Sequence, residues 1–140
     1  MSETAPITPP HEFLHPASWK LPKGFANGIV ARGRLVFLAG QVGWNAEQKF
    51  DSEDFIAQTR QALANIVALV TEAGGRPEHI TRLTWFVIDK KEYLSRLGEL
   101  GQAYRSVMGK HFPVMTLVQV VALVEDMAKV EIEATAVVPD

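Results

Sequence analysis

From Lys129 to Ala136 the chain alternates strictly. Val130, Ile132, Ala134 and Ala136 are apolar, and Lys129, Glu131, Glu133 and Thr135 between them are polar. A period of two predicts a strand with one face in a core and one polar face. Upstream, "GIVA" and "RLVFLAG" read as two strands flanking Arg32-Gly33, which predicts a tight hairpin with glycine at a positive-φ position. Leu35, Val36, Phe37 and Leu38 form an unbroken apolar run, which predicts burial on both faces. "HITRLTWFVID" has the β-branched and aromatic content of a further strand. "MTLVQVVAL" reads as another, joined to the terminal strand by the short turn "VEDM".

Two segments switch to helical spacing. Phe55, Thr59, Ala62, Ile66, Leu69 and Ala73 predict a helix that opens at Asp51, a candidate N-cap with Asp54 three residues on. Gly74-Gly75 stop it and Pro77 follows. Asp89 with Glu92 is a second cap signal. It predicts a helix from about Lys90 to Met108 with Tyr93, Leu97, Leu100 and Tyr104 on one side and Gly109 at its end. Gly98 and Gly101 inside that helix cost roughly 1 kcal/mol each relative to alanine, and such glycines often permit close packing.

The predicted order is β-β-α-β-α-β-β, an α+β domain with a mixed sheet and two helices packed on one face. Strands apolar on both faces leave the other side of that sheet in need of cover, which predicts a partner chain. The expected organisation is an extended arm over 1–20, where "MSETAPITPPHEFLHP" carries four prolines, and one domain over 21–140.

Composition narrows the chemistry. The chain has 140 residues and no cysteine, so disulfides, thiolate metal sites and cysteine nucleophiles are excluded. A net charge of -2 gives no bulk attraction to a phosphate backbone, so no nucleic acid is expected as partner. No apolar run approaches the ~18 residues of a membrane span, and the N-terminus lacks a signal-peptide pattern. The expected location is cytoplasmic, with no membrane partner. His11 and His15 are four apart, but Pro9, Pro10 and Pro16 disfavour a helix there, and His79 and His111 stand alone. No metal site is expected. Nucleotide-binding glycine loops and the G-x-S-x-G elbow are absent.

Three stretches bear on a site. Glu131 and Glu133 share one face of a strand, about 6.5–7 Å apart. Such a pair can divide acid and base roles, although spacing alone favours a solvated or salt-bridged sheet face. "AGQ" at 39–41 ends a strand, and Gly40 there would bare backbone N–H groups to a ligand, or simply turn the chain. "HFPVMTLVQV", residues 111–120, reads as a buried strand entered through a proline and offers no catalytic group at its start.

In order and spacing these segments resemble the Rid (YjgF, reactive intermediate deaminase) family. "FLAGQVG" is similar to its S-G-Q strand end, and "QTRQALANIVALVTEAGG" to its first helix. "ITRLTWFVIDKKEY" is similar to its central strand, and "KVEIEATAV" to its terminal strand. "HFPVMT" sits where the family has P-A-R-[ST]. The resemblance implies a chorismate-mutase-like fold, a homotrimer, and small-molecule clefts between neighbouring subunits. It also implies hydrolysis of enamines and imines such as 2-aminoacrylate to 2-keto acids and ammonia without a cofactor.

Carried over by position, the family's water-activating glutamate falls on Glu131. Its glycine falls on Gly40, with Ala39 in place of serine and Gln41 retained. The carboxylate-binding arginine falls on Met115, beside Thr116, and the cysteine or similar residue falls on Leu117. The cleft tyrosine falls on Phe25 and a second-helix asparagine on Gly101. These departures imply a cleft for a less anionic or aromatic ligand, enclosed by Trp44 or Trp85, unless Arg32, Arg34, Arg76, Arg82 or Lys110 restores the charge. A trimer that binds a metabolite without turnover is the alternative. Ribonuclease activity fits the acidic balance less well.

Overall fold

The structure, a computed structural model, describes residues 10–140; residues 1–9 of the expected arm lie outside the described residues. It contains strands β1 (Glu12–Leu14), β2 (Gly28–Val30), β3 (Arg34–Val42), β4 (Ile80–Val87), β5 (Val114–Gln119) and β6 (Val130–Val138), with helices α1 (Phe55–Glu72), α2 (Lys90–Ser95) and α3 (Leu97–Met108). The main sheet runs β3-β6-β4-β5. Its pairs β3/β6 and β6/β4 are antiparallel and β4/β5 is parallel. The α+β class, with a mixed sheet and helices on one face, is as the periodicity predicts. No helix among the described residues is long and apolar enough to cross a membrane.

The core forms where the two periodicities meet. Leu63, Ile66 and Val70 of α1 lie fully buried against Ile80, Leu83 and Val87 of β4 and Val130, Ile132 and Ala136 of β6. A helical stripe three to four residues apart thus meets alternating residues of β6 and, from Leu83 on, of β4, with Ile80 brought to the same face by a register shift between Ile80 and Arg82.

Several local expectations are corrected. β2 does not form a hairpin with β3. It pairs antiparallel with β1, Glu12 opposite Val30 and Leu14 opposite Gly28, in a separate ribbon. Gly33 does have positive φ, at 147°, and a Cβ there would collide with the Val138 carbonyl, so glycine serves a close approach to the end of β6. β3 is not buried on both faces. Val36 and Leu38 pack on the core, but Leu35 and Phe37 are 65% and 75% exposed, because the helices cover only one side of the sheet.

The cap of α1 is Asp54, which accepts from the Ala57 N–H, while Asp51 accepts from Asn45 Nδ2 in the preceding loop. The second helix is broken at Arg96 into α2 and α3. Arg96 binds Asp54 at 2.8 Å and Glu99 at 2.9 Å, tying the break to the start of α1. The guanidinium holds the Asp54 and Glu99 carboxyls below their ordinary range. β5 and β6 are not joined by a tight turn, since β4 lies between them. Their connection crosses the sheet and is held by buried Gln58, which donates to Met127 O at 2.9 Å and accepts from Lys129 N at 2.8 Å.

Candidate functional site

Strand register sorts the predicted site residues onto two faces. Leu83 pairs with Met115 and Trp85 with both Leu117 and Ile132, so these side chains share the helix-covered face. Glu131 pairs with Phe86, one residue out of phase, and therefore lies on the uncovered face. Within the chain, Glu131 and Met115 stand on opposite sides of the sheet.

On the uncovered face, β3 is bulged. Leu38 pairs with Ala134 and Gln41 with Ile132, leaving Ala39 and Gly40 opposite Glu133 alone. Bulges of this kind re-aim side chains beside functional sites. The carboxylate of Glu131 lies over Gly40, where a Cβ would come within 2.7 Å of its Oε2. Gln41 Nε2 donates to Ala39 O at 3.1 Å and braces the bulge. Asn65 of α1 donates to Trp44 O at 2.9 Å and fixes the chain just beyond it.

On the covered face, a cavity of about 320 Å³ opens between α3, the edge formed by β4 and β5, and residues 23–25. Met115, Leu117, Phe25 and Gly101 all line it, although they come from three places in the chain. One wall is an aromatic column. Trp85 stacks on Tyr104 at 6.4 Å and Tyr104 on Phe112 at 5.2 Å, with interplanar angles of 27° and 11°. The Tyr104 hydroxyl donates to His111 O, and burial pushes its pKa far above the ordinary phenol value, so it is a fixed neutral group. The Trp85 indole N–H is buried and has no partner among the described residues. Thr116 does not enter the cavity: it pairs with Thr84, its side chain is on the uncovered face, and it is exposed.

None of the five cations considered from sequence lines the cavity. Arg34 donates to Ala73 O at 2.9 Å, Arg76 pairs with Glu78 at 2.8 Å, and Arg82 stands beside Thr84 and Glu133 on the uncovered face. Of the two tryptophans considered, Trp85 lines the cavity, whereas Trp44 packs on Phe50. The charged residue that does line the cavity is Lys23, which no local sequence pattern marks. Tyr93, Leu97, Leu100 and Tyr104, readable only as one side of a helix, form its α-helical wall. Among the described residues, no three His, Asp or Glu side chains converge as a metal site.

A family model described as Endoribonuclease L-PSP matches residues 21–138. The chain belongs to the Rid (YjgF) family. It is 33% identical over 108 residues to the 2-iminobutanoate/2-iminopropanoate deaminase of Salmonella typhimurium, covering 75% of this chain and 80% of that protein. A RutC family protein of Pasteurella multocida is 31% identical over 105 residues, 75% of this chain and 81% of that one. Among solved structures, the Rid protein YyfB of Yersinia pestis, of unknown function, superposes with a TM-score of 0.81 at 29% identity. That match covers 92% of this chain and 99% of the other, so the Rid fold extends over nearly all of it.

Proposed function

We propose that this Rid protein is an enamine/imine deaminase, hydrolysing a C=N bond to a carbonyl and ammonia, with Glu131 as general base and the apolar cavity as substrate pocket. The observation that carries the reading is the Glu131 carboxylate held over Gly40 at a strand bulge, in a chain related to a named imine deaminase. Glu131 accepts a proton from water as the water oxygen bonds to the imine carbon. With the imine nitrogen protonated, this gives a neutral carbinolamine; Glu131 passes its proton to the amine nitrogen and takes the hydroxyl proton as the C–N bond breaks, leaving a carbonyl and ammonia. The chain's own groups suffice for this sequence, and no cofactor takes part.

Glu131 and the cavity lie on opposite faces of one sheet, so a ligand touching both must sit between copies. Exposed Leu35 and Phe37 on the uncovered face offer the contact surface. We take the assembly to be a homotrimer, with Glu131 of one copy facing the Met115 cavity of the next. Met115 provides no charge for a carboxylate beside the imine carbon, and the aromatic column favours a planar apolar body.

The test is hydrolysis of imines generated in situ from neutral, acidic and aromatic amino acids and from simple amines, with native protein, with Glu131→Gln and without protein. Acceleration lost in Glu131→Gln supports the deaminase. Saturable binding of the same compounds with no acceleration would instead favour a metabolite-binding protein, for which the apolar lining at Met115 speaks.

A further inference from the structure

One cation lines this cavity and a second lies beside one of its lining residues, neither with an acidic partner among the described residues. Lys23 lines it from the segment that precedes β2 and is exposed. Arg105, one turn further along α3, does not line it but packs beside Gly101, which does. A Cβ on Gly101 would lie 3.1 Å from Arg105 Nη1 and 3.8 Å from its Cζ, so the guanidinium lies across the bare backbone of a cavity-lining residue. Neither Lys23 nor Arg105 appears in a salt bridge, and no Asp or Glu lines the cavity. A side chain at residue 101 would push the guanidinium away. Gly24, at φ 77°, lets the chain turn between Lys23 and Phe25, the polar and apolar members of one rim.

The apolar depth and the charged rim divide the labour. Met115, Leu117 and the ring faces of the Trp85–Tyr104–Phe112 column offer no charge to an anion, while Lys23 and Arg105 offer little to a ring in the interior. We propose, resting on the deaminase reading, that the substrate is an imine or enamine with an aromatic or conjugated body in the cavity and a carboxylate at its far end. That carboxylate, remote from the reacting carbon, pairs with Lys23 and Arg105. Recognition is thereby moved from β5, where Met115 stands, to the mouth of the cavity.

The test uses the assembled protein and two probes of one shape, 4-ethylbenzoate and the neutral 4-ethylbenzamide, with affinities read by calorimetry. The benzoate should bind about ten-fold more tightly than the amide. Lys23→Ala and Arg105→Ala should each remove several-fold of that preference, and the double variant all of it, with amide binding unchanged. Both residues are exposed, so folding should be spared. Equal affinity for the two probes, or a preference that survives the double variant, overturns the proposal. So does a change of oligomeric mass in the variants, which would make the cations partner contacts. Turnover is scored separately on the imine formed from 4-(aminomethyl)benzoate by N-chlorination and loss of HCl. Preferential benzoate binding without hydrolysis of that imine would uphold the charged rim and remove the deaminase reading alone.

Discussion

The carboxylate of Glu131 fills the space that a side chain on Gly40 would need, since a Cβ there would lie 2.7 Å from Glu131 Oε2 and 2.9 Å from its Cδ. Gly40 is not among the positive-φ glycines, so an alanine meets no backbone strain and acts only through the carboxylate. Gly40→Ala should therefore fold normally and misplace Glu131, lowering kcat on the best imine by about ten-fold or more. Combined with Glu131→Gln it should add nothing, because both changes disable one group. An additive double variant would show that Gly40 serves the substrate directly.

Met115 pairs with Leu83 on the covered face and lines the cavity among aromatic rings. Met115→Arg places a guanidinium where a carboxylate adjacent to an imine could reach it. A charge-assisted hydrogen bond contributes about 1.5–3 kcal/mol, equivalent to roughly ten- to a hundred-fold in kcat/KM. The variant should gain that factor on the imine of alanine and lose activity on imines that lack a carboxylate. It should also melt lower than the native protein, since the guanidinium loses hydration among apolar neighbours. Unchanged preference between the two substrate types would count against Met115 as a specificity residue.

Phe37 is 75% exposed beside Leu35 at 65%, on the face that also carries Glu131. Large apolar side chains adjoining in this way mark a contact surface. Phe37→Glu should shift the mass measured by light scattering from that of three chains to that of one. Deaminase activity should fall with the assembly, because Glu131 and the cavity would then be held apart by the sheet. A monomeric native protein, or a variant that stays assembled, would contradict the shared site.

What could be read from the chain was local. The strict alternation in β6 places Glu131 on a polar face, and the helical stripe of α1 marks Phe55, Thr59, Ala62 and Ile66 as buried before any contact is seen, although Leu69 of the same stripe is 39% exposed. Choices between distant partners leave no such mark. Nothing near Gly28 says that β2 takes β1 rather than β3, and nothing near Val120 says that β4 separates β5 from β6. Sequence position suggests that Gly101 permits a close neighbour, but the neighbour proves to be Arg105 of its own helix. The cavity leaves no local mark either: the family resemblance brings Phe25, Gly101, Met115 and Leu117 to one cleft, but not Lys23. Lys23 shares no periodicity or motif with them, and only the fold adds it to that surface.

His11, in the segment leading into β1, packs its ring 6.3 Å from that of His79, and each residue is 6% exposed. His11 Nε2 lies 3.2 Å from His79 O. His79 Nδ1 accepts from the Arg76 N–H at 2.9 Å, so protonating that nitrogen would break a hydrogen bond. His111, whose Nε2 donates to Ile80 O at 2.7 Å, packs edge-on against Phe13. Burial is the main cause holding both His79 and His111 below the ordinary 6.5, with Arg76 and the neighbouring histidines adding to it for His79 and Glu78 opposing. A histidine with a depressed folded pKa binds its proton more readily unfolded. Its stabilising effect is complete above 6.5 and declines as pH falls from there toward the folded value. The melting temperature should be level above about pH 7 and drop on acidification below the unperturbed histidine pKa of ~6.5. This fall precedes any loss from Asp54 and Glu99, which comes only below their ordinary values of 3.8 and 4.5. His79→Asn keeps an acceptor for the Arg76 N–H but cannot be charged, so it should flatten the fall. A variant whose melting temperature tracks pH as steeply as the native protein would rule out this buried histidine as its source.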